Sequence, residues 1–168
     1  IDGDSILWTG EWDTGLKKFN LKTGIWEIHN PTGSANLNIL DIKPKNKDEL
    51  WLATIGNGLA VYNKKDKSFQ FIKNDPGNPK SLISNWVHGN LFELDNELWL
   101  LTNNGISIGD PNYRSFNQVY PRLPMSYISG FYRDTIDRRF YISGLNCKGL
   151  SYWDEEKQSW HIIYPAKD

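Results

Sequence analysis

The chain has 168 residues, enough for one domain with a sizeable core, and sets 19 Lys and Arg against 20 Asp and Glu for a formal net charge of -1. This balance, with no basic tract, excludes an electrostatic footprint for nucleic acid. A single cysteine, Cys147, excludes an internal disulfide and a cysteine-rich zinc site, and no run approaches the roughly 18 apolar residues of a membrane span.

In chain order, the pattern is one of short strands. The chain opens at Ile1 and shows no signal peptide, which suggests a processed, trimmed or incompletely observed product. Asp2-Gly3-Asp4 matches the turn that precedes each later tryptophan strand, so the first repeat is expected to lack its innermost strand. Leu7-Trp8 marks one strand, Gly15-Leu16 opens the next, and Trp26 lies on a third. Strands are then predicted at residues 39–43, 49–54, 58–62 and 68–72, with turns at 44–48 and 63–66. A linker runs from Asn74 to Asn85. A strand at 87–93, a turn at 94–96 and the Leu98-Trp99 and Gly105-Ile106 strands follow. The last set has a strand at 128–133, a turn at 134–138, Phe140-Tyr141 in the Leu-Trp position, Gly149-Leu150, and a final strand at 160–164. No segment reads as a long capped helix.

These strands repeat. Gly15, Gly58, Gly105 and Gly149 lie 43, 47 and 44 residues apart, each followed by a branched residue. Five residues after each glycine stand Asn20, Asn63, Asp110 and Asp154, and eleven after stand Trp26, Phe69, Phe116 and Trp160. Four after stand Phe19, Tyr62, Gly109 and Trp153, with Gly109 the one departure. Four short antiparallel strands at this period, with aromatics in fixed places, define β-propeller blades. The expected fold is therefore all-β, a partial propeller of four four-stranded blades over residues 1–168, the first lacking its innermost strand. The repeats fall at about 1–35, 36–82, 83–125 and 126–168. Nothing in the sequence supplies the lost strand, so a fragment of a larger ring is expected, with an open arc or a partner-completed ring as the alternatives.

Catalytic chemistry finds little support. His29, His88 and His161 have no metal-ligating spacing, and His29 and His161 read as ordinary residues of outer strands. Neither a nucleophile elbow nor a phosphate loop is present, and Gly56-Asn57-Gly58 reads as a turn between strands. Glu11, Asp13, Asp41 and Glu93 are the carboxylates a glycosidase pair would need, but no spacing brings two of them together. Cys147 has no base in its own repeat and reads as a passive thiol. No cofactor or metal is expected.

A binding face is better supported. With strands A to D counted outward from the axis, the B–C turns and D–A linkers emerge at one end of a propeller. Six of the eight tryptophans occupy repeat positions, whereas Trp12, in a B–C turn, and Trp86, where the D–A linker enters an inner strand, do not. Aromatic faces stack on sugar rings, and nearby amides and charges orient hydroxyls. The candidate ligand-binding residues are Trp12, Asp13, Asn57, Asn85, Trp86, His88, Asn103, Asn104, Asn146 and Lys148.

Two stretches carry a family resemblance. Residues 50–63, LWLATIGNGLAVYN, and the linker at 74–82, NDPGNPKSL, are similar to the two-component regulator propeller repeats found in the periplasmic sensor region of Bacteroidetes hybrid two-component histidine kinases. The other copies match less fully, and Phe140-Tyr141-Ile142-Ser143-Gly144 departs most from the pattern. The resemblance implies one part of a seven-bladed or double propeller, followed in the parent protein by a sandwich, a membrane helix and a kinase. It implies a periplasmic location, the remaining blades as partners, a homodimer in the full receptor, and an oligosaccharide ligand that controls transcription by phosphorelay. It implies no catalysis by this chain and no membrane span within it. A protein-interaction scaffold and a propeller lyase or glycoside hydrolase are the alternative functions.

Overall fold

The computed structural model describes residues 3, 5–32, 37–89, 91–94, 96–110, 112, 115–119, 125, 127–134, 136, 139–146, 149–154 and 156–165; Cys147 and Lys148 lie outside them. The fold is all-β, with four antiparallel sheets built from consecutive strands, the blade-like sheets of a partial propeller. Sheet 1 has three strands, β1 (Ile6–Glu11), β2 (Gly15–Asn20) and β3 (Trp26–His29). Sheet 2 has β4 (Ile39–Pro44), β5 (Glu49–Thr54), β6 (Leu59–Asn63) and β7 (Phe69–Ile72). Sheet 3 has β8 (Phe92–Leu94), β9 (Glu97–Thr102), β10 (Gly105–Gly109) and β11 (Phe116–Val119). Sheet 4 has β12 (Tyr127–Arg133), β13 (Phe140–Leu145), β14 (Gly149–Asp154) and β15 (Ser159–Pro165).

Alternation along the tryptophan strands builds three cores between successive sheets. Leu50 and Leu52 of β5 face sheet 1 and pack with Leu16, Leu37 and Trp8. Trp51 and Ala53, one residue out of phase, face sheet 3 and pack with Leu98, Leu100 and Phe116. Trp99 and Leu101 of β9 face sheet 4, against Ile128, Phe140 and Ile142. The pairs Leu50-Trp51 and Leu98-Trp99 thus each cement two different interfaces. Trp51 and Trp99 are 1% and 5% exposed, whereas Trp8 is half-buried beside a sheet that has no fourth strand among the described residues.

The repeated Asn or Asp has one job in all four copies. Asn20 Oδ1 accepts from the backbone N–H groups of Lys22 and Thr23, Asn63 Oδ1 from Lys65, Asp110 Oδ1 from Asn112 and Asp154 Oδ1 from Lys157. Each side chain closes the turn between the two outer strands by satisfying donors that the ladder has released. Gly58 has φ +74 and its hypothetical Cβ would lie 2.2 Å from the Ile72 carbonyl oxygen, so both conformation and close packing require glycine there.

One expectation needs correction. The inner strand expected at 87–93 is shorter: only Phe92–Leu94 pairs as a strand, and Val87 makes an isolated bridge to Thr102. Between this bridge and the Phe92–Trp99 pair the ladder is broken by a bulge. Leu91 N–H is instead held by the Asp41 carboxylate of β4, at 2.7 Å, which ties the bulge to the neighbouring sheet. Trp26 is 52% exposed and stacks on Phe19 at 4.4 Å. Pairing places Leu7, Phe19 and Trp26 in one row, on the face of sheet 1 opposite Trp8.

Candidate functional site

The linker from 74 to 85 is held by its own polar side chains. Asn74 N–H donates to Asn85 Oδ1 at 2.7 Å, and the Asn74 amide donates to the Leu82 carbonyl at 2.6 Å. Asp75 Oδ1 accepts from Gly77 N–H, Asn78 Oδ1 accepts from Lys80 N–H, and Ser81 Oγ joins the backbone of Asp75. Leu82 is buried beneath this loop, and Ile83 N–H donates to Ser107 Oγ of sheet 3. The alternating Asn, Asp, Pro and Ser of this stretch thus encode a compact loop that satisfies itself and delivers the chain to the next sheet.

The linker ends where the β5–β6 turn lies. Gly58 N–H donates to the Asn85 carbonyl at 2.8 Å, Trp86 bridges Ile55, and Val87 N–H donates to the Thr54 carbonyl at 3.0 Å. On the other side His88 N–H donates to the Leu101 carbonyl at 2.8 Å, and Asn103 N–H to the Trp86 carbonyl at 3.4 Å. Ser84 Oγ donates to Asn103 Oδ1 at 2.6 Å and accepts from Trp86 N–H. Thr54 and Thr102 hydroxyls donate to the carbonyls of Gly58 and Gly105, fixing the two turns. Asn104 N–H donates to Thr102 Oγ1 at 3.2 Å. Sheet 1 joins the same belt, because Asn38 Oδ1 accepts from Asp13 N–H at 2.6 Å while its carbonyl accepts from Ile55 N–H at 3.0 Å.

The structure therefore gathers Asn85, Trp86, His88, Asn103 and Asn104 at the boundary of sheets 2 and 3, with Asn57 in the adjoining turn. Asp13 and Trp12 are one sheet away on the same belt. Trp12 is 60% and Trp86 40% exposed, large apolar surfaces on otherwise polar turns. Asn146 is exposed on the β13–β14 turn with φ 57. Lys148 lies outside the described residues. Asn85 Oδ1 and Asn103 Oδ1 already accept hydrogen bonds that shape the linker, so they help to position Trp86. His88 is buried 6.3 Å from the Trp86 ring, and burial holds its imidazole below the ordinary value, in the neutral form. Asn38 and Ser84 were missed by sequence reasoning; Asn38 directly precedes β4 and Ser84 lies near the end of the linker, polar loop residues that composition alone does not set apart.

The carboxylates considered for catalysis are dispersed. Glu11 is engaged by Lys17 and Thr14, which lower its carboxyl below the usual range, and Asp41 accepts from Ile42 and Leu91 N–H groups. Among the described residues no three His, Cys, Asp or Glu side chains are placed to hold a metal ion, and no helix is long and apolar enough to cross a membrane.

No family model matches the chain, and no curated protein matches it in sequence. Solved structures do. The extracellular domain of BT3049 from B. thetaiotaomicron, described as a hybrid two component system, aligns over 96% of this chain with a TM-score of 0.74 and 24% identity. That of BT4673 from the same organism, similarly described, aligns over 98% with a TM-score of 0.68 and 16% identity. YCF48 bound to D1 peptide aligns over 94% of this chain and 54% of its own, with a TM-score of 0.59 and 13% identity. The chain spans 23% and 21% of the two B. thetaiotaomicron chains, and at these identities the likeness is one of fold: four successive sheets arranged as they are in the extracellular domains of two-component systems.

Proposed function

We propose that the chain is a non-catalytic part of the extracytoplasmic ligand-sensing propeller of a two-component receptor, binding an oligosaccharide at the end where Trp12 and Trp86 lie. The observation that carries this reading is the exposure of both tryptophans on turns joined by one hydrogen-bonded belt across three sheets. An exposed indole costs nothing to the core and offers a stacking face, while Asn57 and Asn104 lie on the neighbouring turns of the same end. Four repeats at about 1–35, 36–82, 83–125 and 126–168 form one partial propeller, and the remaining blades belong to the same parent protein, anchored in the inner membrane and working as a homodimer. Signalling then requires two receptor states with different ligand affinity.

The test is a titration of the 168-residue chain with a panel of oligosaccharides, followed by calorimetry. Binding by the parent chain that is lost in Trp86→Ala and Trp12→Ala, with melting unchanged, is the expected result. Absence of any glycan binding, together with tight capture of a purified protein through the same tryptophans, would instead support the scaffold reading, which the size of the exposed indoles also favours.

A further inference from the structure

The inner strand β4 carries a side chain that its own bulge does not require. Its register skips between Ile39 and Asp41, opposite Thr54 and Ala53. β12 skips in the same place, between Ile128 and Gly130, opposite Gly144 and Ser143. Gly130 thus stands where Asp41 stands in sheet 2, so a bulge of this kind forms without a carboxylate. Asp41 uses both of its oxygens on backbone donors. Oδ1 accepts from Ile42 N–H at 2.8 Å in its own strand, and Oδ2 accepts from Leu91 N–H at 2.7 Å, just before β8 of the next sheet. A charged acceptor makes this second bond stronger than an ordinary backbone one.

The chain held in this way leads back to Trp86. Leu91 is buried with Val87 in the core between sheets 2 and 3. Gly89 leans on β4: a Cβ there would lie 3.2 Å from the Leu40 carbonyl oxygen and 3.9 Å from the Asp41 Cβ. His88 is buried, and its ring packs beside the Trp86 indole. The backbone at this point is fixed by the bonds from Asn103 N–H to the Trp86 carbonyl and from His88 N–H to the Leu101 carbonyl. Those bonds do not choose the orientation of the rings. A part-exposed indole takes its rotamer from the neighbours it does have, and the buried imidazole is one of them. All of these residues belong to sheets 2 and 3, each of which packs against a sheet on either side.

We infer that Asp41 is a positioning residue for Trp86: by holding Leu91 N–H it fixes the stretch from His88 to Leu91 against β4, and so keeps His88 and the indole beside it in one orientation. The weight of this for ligand binding rests on the reading of Trp86 given above. The carboxylate does not reach the indole; it acts through four residues of chain whose ladder is interrupted and whose far end it secures.

The test labels the 168-residue chain with 5-fluorotryptophan and reads Trp86 by fluorine NMR, its resonance assigned with Trp86→Phe, alongside hydrogen exchange of the Leu91 amide. Asp41→Ala should raise Leu91 exchange about tenfold and shift or broaden the Trp86 resonance, with the Trp12 resonance unmoved. Asp41→Asn keeps one acceptor oxygen and should restore much of both signals. Gly89→Ala presses the same stretch away from the Leu40 carbonyl without touching Asp41, and should also move the Trp86 resonance. Tyr62→Phe, which loosens the interface between sheets 1 and 2, should leave that resonance in place. A Trp86 resonance unmoved in folded Asp41→Ala overturns the proposal; if that variant does not fold, one unmoved in Gly89→Ala does so. Equal movement by Tyr62→Phe also overturns it, because the effect would then be general loosening. No sugar enters these spectra, so their outcome is separate from that of the oligosaccharide titration.

Discussion

What surrounds an indole decides whether losing it harms the fold. Trp51 is sealed between sheets 2 and 3 among Leu59, Val61, Leu98 and Phe116, with Lys45 Nζ 4.9 Å from its ring centre. Trp51→Ala should therefore cost ~3–5 kcal/mol, read as a lower urea midpoint, whereas Trp12→Ala should stay within ~0.5 kcal/mol. A loss in Trp12→Ala matching that in Trp51→Ala would merge scaffold and site. Tyr62 and His29 form the other residue-scale test. Burial pushes the Tyr62 hydroxyl up to about 12, so it remains a neutral hydrogen-bonding group at any physiological pH. Tyr62→Phe leaves His29 Nδ1 without its partner and should cost ~1–3 kcal/mol, while Tyr62→Phe with His29→Leu should recover most of it. A double-mutant cycle in urea measures the difference; additive losses would mean the hydrogen bond contributes nothing.

At the scale of elements, the linker and the inner strands hold the candidate site in place. Asn85 closes the linker on Asn74, so Asn85→Ala should speed hydrogen exchange of the Asn74 amide and weaken ligand binding indirectly through Trp86. If exchange is unchanged and binding alone falls, Asn85 touches the ligand itself. The bulges follow a common plan: β4 skips register between Ile39 and Asp41, and β12 between Ile128 and Gly130. In sheet 3 the interruption is larger, and the Asp41 carboxylate makes it good by holding Leu91 N–H. Outer-strand turns were readable from the repeated Asn and Asp because an Asx turn is a local event. The sheet 3 interruption was not, because the bonds that compensate it come from a strand 50 residues earlier.

Across the whole molecule, stability resides in three interfaces between sheets that contact their neighbours in sequence. Histidine burial couples those interfaces to pH. Burial holds both His29 and His88 below their ordinary 6.5, so the unfolded chain binds protons more readily than the folded one. The stability they contribute is present above about 6.5 and is lost as pH falls from there through the lower folded-state values. Urea midpoints between pH 7.5 and 5 should decline, and His29→Leu should flatten part of that slope; a slope unchanged by the substitution would exclude His29 as its source. The all-β class, the blade-like sheets and the turn residues were readable in sequence because period-two alternation, positive-φ glycines and Asx turns are local consequences of covalent structure. Trp12 and Trp86 stood out in the sequence because they fall outside the repeat, and both are exposed. Which polar residues share a belt, and that Asn85 and Asn103 shape the linker, were settled only by how the sheets stack.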